Sequence, residues 1–171
     1  MTRVAIFREC RNGPRRTTGR DFLADCPPRL AEIFRYWETR RNGRSMPRRR
    51  DISPEDLRHH LPRVLLVDVE GVDEYGLGIY RYRVIGTEEA RQRGFDPTGR
   101  LVREAFFGPD WENVQLCYET VRTSGSFLYD PCDYWTPKEN WRREHSIFLP
   151  LSEDGETVSQ ILVYSAFSEQ A

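Results

Sequence analysis

Three histidines, four cysteines and a dense run of arginines are the side chains from which a chemical site could be built. His59 and His60 stand together just ahead of Pro62, where they read as the solvent-facing or capping end of a short helix. His145 lies in an alternating segment that groups it with Ile147 and Leu149. On an inward face it could ligate a haem iron or read a ligand, though a histidine satisfied by its neighbours is the plainer expectation. Cys10, Cys26, Cys117 and Cys132 lack the two-residue spacing of a metal knuckle. With no secretion signal ahead of them they read as reduced thiols. No nucleophile with an adjacent base and no metal cluster emerges, so neither catalysis, nor a metal, nor a bound cofactor is expected.

Aromatic residues and arginines offer two other kinds of site. Tyr80, Tyr82, Trp111, Tyr118, Phe127 and Tyr129, with His145, could converge on an interior pocket. Rings with polar tips suit an apolar cavity that needs a few directed hydrogen bonds, and the competing reading is that they simply fill the core. Phe95, directly after Gly94, could cover one side of such a pocket. Arg40, Arg41, Arg44, Arg48, Arg49 and Arg50 place six guanidinium groups in eleven residues, a pattern that would suit phosphate or nucleic acid. Acids between positions 51 and 56 follow at once, and of the 26 basic residues in the chain only Lys138 is a lysine. That chain-wide skew fits a GC-rich coding sequence, so a solvated or acid-paired face is expected in place of a nucleic-acid site.

These side chains need elements to hold them. At 171 residues, with 12% aromatic and 38% apolar content, the chain can close one sizeable core. A mean hydropathy of -0.70 and the lack of a long apolar run argue against a membrane span, and the cytoplasm is the expected compartment. The net charge of -1 gives no general pull towards polyanions. Residues 1–26 are arginine-rich without a period and end at Pro27-Pro28, which reads as a flexible arm ahead of a single domain at 27–171.

Leu30, Ile33, Phe34 and Trp37 form an apolar stripe on a helix near 28–42, closed by Gly43. Ser53-Pro54-Glu55-Asp56 predicts a short helix ending before Pro62. Strands are predicted at 63–70 and 79–85, joined as a hairpin, then a short helix from Thr87 to Gly94. Trp111, Val114, Tyr118 and Val121 mark a longer helix, and strands follow at 127–135, 141–149 and 157–167. The last has apolar residues on both faces and should be central. The fold class is α+β: a five-stranded antiparallel sheet with helices on one face and an extra N-terminal helix. Leu30, Ile33, Phe34 and Trp37 are then left to cover the outer face of that sheet or to build a homodimer.

With this element order the chain resembles the PAS superfamily, and more narrowly the small bacterial proteins that consist of one PAS domain without an attached output. The resemblance is carried by Trp37, Met46-Pro47, Asp51-Ile52-Ser53-Pro54-Glu55-Asp56-Leu57 and Leu61-Pro62. It continues in Tyr82-Arg83-Val84-Ile85-Gly86-Thr87, Asp96-Pro97-Thr98-Gly99 and Leu149-Pro150-Leu151-Ser152-Glu153-Asp154-Gly155. It implies a non-catalytic sensory module that takes an unknown small ligand, or a signalling protein, between sheet and helices or on the sheet's outer face. The photosensory flavin domains of that superfamily use a cysteine between asparagine and arginine, a context that Cys117 and Cys132 lack. Two alternatives stand beside it: an arginine-patch nucleotide or nucleic-acid binder, and a small α+β enzyme with an aromatic pocket.

Overall fold

The computed structural model describes residues 16–108, 110–135 and 141–167. Its helices are α1 (Pro28–Arg40), α2 (Thr87–Arg93), α3 (Val102–Ala105) and α4 (Trp111–Ser124). Its strands are β1 (Val64–Val72), β2 (Gly78–Ile85), β3 (Leu128–Trp135), β4 (Trp141–Leu151) and β5 (Gln160–Phe167). All neighbours are antiparallel, in the order β2-β1-β5-β4-β3, so β5 is the central strand.

Each face of the sheet has its own apolar layer. Leu65, Val67, Tyr80, Tyr82, Leu128, Phe148, Ile161 and Val163 face α3 and α4, where they meet Val102, Cys117, Tyr118 and Val121. Val64, Leu66, Tyr129, Ile147, Leu149, Leu162 and Tyr164 face the opposite way, towards α1. β5 alternates between the two layers, as a strand buried on both faces must.

The α1 stripe is consumed within the chain. Leu30, Ile33 and Phe34 are fully buried and Trp37 is 2% exposed, and the Trp37 indole N–H donates to the Pro150 carbonyl at 2.9 Å. The helix therefore covers the outer face of the sheet, and none of the four side chains is left on the surface for a homodimer contact.

Two sequence expectations are corrected. Residues 16–26 do not stand off as an arm. Thr17 bridges to Tyr129 at the sheet edge, and a 3-10 turn at Arg20–Ala24 drives Phe22 into the outer layer. There Phe22 stacks on Tyr129 at 4.6 Å and meets Phe34 edge-on at 5.1 Å. A single buried ring anchors this segment, which is why no period announced it; residues 1–15 lie outside the described residues. Residues 54–60 form turns in place of the predicted short helix, and a 3-10 turn follows at Leu61–Arg63. The Ser53 hydroxyl bonds to Glu55, and its backbone N–H is taken by the Tyr36 hydroxyl at 2.9 Å. The would-be cap is thus engaged elsewhere.

The arrangement around α2 depends on a glycine. Gly86 is its N-cap residue, and a Cβ there would lie 2.3 Å from the Pro62 carbonyl oxygen. Gly94 ends the same helix at a φ of 76°, the left-handed conformation that favours glycine.

Candidate functional site

Between the inner face of the sheet and helices α2 and α4 lies a cavity of about 120 Å³. Strand alternation supplies its floor: Asp130 and Cys132 from β3, Glu144, Ser146 and Phe148 from β4, and Val163 and Ser165 from β5. Glu89, Gln92 and Arg93 enter from α2, Asn113, Val114 and Tyr118 from α4, and Phe106 and Phe107 from the loop between α3 and α4. About half of the lining side chains are charged, amide or serine groups, set within a layer that is otherwise apolar.

Two ion pairs organise the walls. Arg93 donates to the Glu89 carboxylate at 2.7 Å and to the Glu89 carbonyl at 3.0 Å, and both side chains are under a tenth exposed. Burial works against the Arg93 charge, but the Glu89 carboxylate outweighs it and holds the guanidinium pKa above its ordinary value. The Arg93 Nε is buried without a hydrogen-bond partner. On the other side, Arg16 grips Asp130 through two bonds of 2.7 and 3.2 Å.

Glu144 is the exceptional group. Burial, and next the charge of Glu89, push its carboxyl up to about 7. The Ser165 hydroxyl is its hydrogen-bond partner, and that hydroxyl lies 2.8 Å from the Ser146 hydroxyl. Tyr82 and Tyr118 also border the cavity, and burial raises both phenols above the usual range, Tyr118 well above it.

The candidate residues from the sequence do not gather in one place. Tyr82 and Tyr118 line the cavity. Tyr80 and Trp111 line a separate recess of about 20 Å³, where the Tyr80 hydroxyl bonds to Glu119. Phe127, Tyr129 and His145 lie on the opposite side of the sheet: Phe127 and Tyr129 pack in the α1 layer, and the Tyr129 hydroxyl bonds to His145 Nδ1. His145 was grouped correctly with Ile147 and Leu149, but that face is the outer one. Phe95 is 44% exposed, stacks under Arg100 and lines neither of these two spaces. Glu89, Arg93, Asp130, Glu144, Ser146 and Ser165 went unread. Their signal was present as polar residues on the β4 face shared with Phe148 and as an i, i+4 acid–base pair on α2.

The arginine run is largely engaged locally. Arg40 pairs with Asp56 at 2.6 Å, Arg44 pairs with Asp51, and Arg41 lies over the Trp37 ring. His60 approaches Glu32 at 3.3 Å and meets the Tyr164 ring edge-on. Among the described residues no group of three or more His, Cys, Asp or Glu could hold a metal ion, and no helix is long and apolar enough to cross a membrane.

Cys26 and Cys117 are free thiols, whereas Cys132 is disulfide-bonded, which departs from the expectation of four reduced cysteines. The Cys117 thiol is fully buried and points at Asp130, 3.4 Å away. Burial, then the Asp130 charge, hold its pKa far above the ordinary thiol range, so it is a poor nucleophile. A maleimide should therefore label Cys117 only after the protein is unfolded; rapid labelling of Cys117 in the folded chain, read by peptide mass, would contradict this.

No curated protein matches the chain. Similar solved structures include a light-oxygen-voltage domain studied with a flavin analogue, at 10% identity and a TM-score of 0.47 over 68% of this chain and 84% of that one. The LOV protein of Rhodobacter sphaeroides is similar at 12% identity and a TM-score of 0.47, over 68% of this chain and 67% of that one. The LOV domain of the blue-light photoreceptor Aureochrome1 is similar at 12% identity and a TM-score of 0.45, over 68% and 88%. A family model described as PAS domain matches residues 26–163, which takes in everything from α1 to β4 and the first half of β5. The chain belongs to the PAS domain family.

Proposed function

We propose that this PAS domain is a non-catalytic sensory module whose input is a small polar molecule held in the cavity between the sheet and helices α2 and α4. The observation that carries the reading is a cluster of polar side chains in a cavity of mixed lining inside an apolar layer: Arg93, Glu89, Glu144, Ser146 and Ser165 converge there. Buried polar groups are expensive to maintain unless something binds them. A packed apolar core would have no use for the Arg93 Nε, buried without a partner.

Size limits the ligand. A dry cavity of roughly 150 Å³ accepts benzene, so a space of about 120 Å³ suits a molecule of similar or smaller bulk in the conformation described here. A non-catalytic role is supported by the state of the polar groups. Glu89 and Asp130 are tied to guanidiniums, and the Cys117 thiol is held neutral. The contact between Tyr129 and His145 lies across the sheet from the cavity.

Native mass spectrometry of the full chain tests this reading. A small molecule should be retained and then released on unfolding, and Ser146→Leu, which fills the cavity floor, should abolish retention while leaving the domain folded. An unliganded mass, together with a melting temperature that no small polar molecule raises, would overturn it.

A further inference from the structure

Building on the cavity as the ligand site, we propose that its occupant is a small organic cation whose positive group lies against Glu144 and whose apolar part rests on Phe106, Phe107 and Phe148. Charge balance is the first argument. Four carboxylates border the cavity, Glu89, Asp110, Asp130 and Glu144, against two guanidiniums, Arg16 and Arg93. Each guanidinium already has its carboxylate: Arg93 holds Glu89 at 2.7 Å and Arg16 holds Asp130 at 2.7 Å. Asp110 is exposed and accepts the Asn113 N–H at 3.2 Å, capping α4. Glu144 is left over; among the described residues no cationic side chain forms an ion pair with it.

The surroundings of Glu144 make this imbalance matter. Glu89 from α2 and Asp130 from β3 both oppose its ionisation, and Arg93 offsets them only in part. Ser165 from β5 donates to it without supplying charge. Tyr82 from β2 and Tyr118 and Cys117 from α4 all stay neutral. A cation placed beside the carboxylate recovers what burial cost it. An anion could accept from the unpartnered Arg93 Nε–H, but it would face the uncompensated Glu144 acid with Glu89 beside it.

The apolar wall fits the same ligand. Phe106, Phe107 and Phe148 all border the space, and they offer the carbon chain of the ligand an apolar surface on which to bury. Given the volume, a ligand of about five or six heavy atoms is accommodated.

A matched set of probes isolates charge from size: n-butylammonium, n-butanol and n-butyrate, titrated calorimetrically into the full chain. The ammonium should bind more tightly than the other two. Its affinity should rise about tenfold between pH 6 and pH 8, as the binding-competent ionised fraction of Glu144 grows. Glu144→Gln should remove both the preference and the pH dependence while keeping weak butanol binding. If that variant fails to fold, the pH slope of the unmodified protein decides alone. Butyrate binding as tight as butylammonium, or a preference unchanged in folded Glu144→Gln, would overturn the cation while leaving the cavity a ligand site. Binding by none of the three at millimolar concentration would overturn the cavity reading and the cation with it.

Discussion

Replacing Phe34 and Trp37 together by alanine should leave the domain largely unfolded at ambient temperature. Removing a buried Phe or Trp side chain costs about 3–5 kcal/mol, against a total stability of about 5–15 kcal/mol for a domain of this kind. The two rings lie 6.1 Å apart and share Phe127 as a neighbour. Their losses will therefore not add simply, but either alone should lower the unfolding midpoint clearly. The Trp37 variant carries a further penalty, since the Pro150 carbonyl loses its 2.9 Å partner inside the outer layer. Denaturant unfolding monitored by circular dichroism measures the effect, and sedimentation run alongside should show no change of oligomeric state. A double variant with the unfolding midpoint of the parent would show that α1 contributes nothing to the fold.

That helix was legible in the sequence because a stripe at helical spacing records burial in one dimension, whatever it is buried against. The same holds for α4, for the hairpin of β1 and β2, and for β5, whose apolar residues on both faces marked it as central. What such a pattern lacks is the direction of each face. A sheet covered on both sides has two inward faces, so grouping His145 with Ile147 and Leu149 could not say which layer they join. The segment with Phe22 escaped for a different reason. One ring with a backbone bridge at Thr17 is enough to dock it, and one ring has no period.

The cavity was harder to read than the core, for a physical reason. Glu144, Ser146 and Phe148 share one face of β4, and the first two look like the solvent side of a strand. Glu89 and Arg93 are four residues apart on a short helix, the spacing of an ordinary surface ion pair. Polar residues that line an interior cavity and polar residues that meet water obey the same alternation. Only the helices packed over them separate the two cases, and that packing is a tertiary fact. The aromatic residues, by contrast, attracted attention through their size, yet only Tyr82 and Tyr118 of that set reach the cavity.

Breaking the Glu89–Arg93 pair should be far more damaging than deleting it. Arg93→Met leaves the Glu89 carboxylate in place with its side chain only 7% exposed, and an uncompensated buried charge of this kind costs about 3–5 kcal/mol. Arg93→Met combined with Glu89→Leu removes both charges and fills the space with apolar atoms, which is commonly neutral or even stabilising. The double variant should therefore recover most of the stability that the single variant loses. The neighbouring pair on the same helix serves as a control. Arg91 and Glu88 also form an ion pair at 2.7 Å, but the Arg91 side chain is 76% exposed. Arg91→Met should leave the unfolding midpoint unchanged, because an exposed pair gains little over solvation. Comparison of the four unfolding curves, the parent included, gives the result directly. If Arg93→Met and Arg91→Met lower the midpoint equally, the Glu89–Arg93 pair is not desolvated. The wall of the cavity would then be open to water, and the electrostatic isolation on which Glu144 depends would be lost with it.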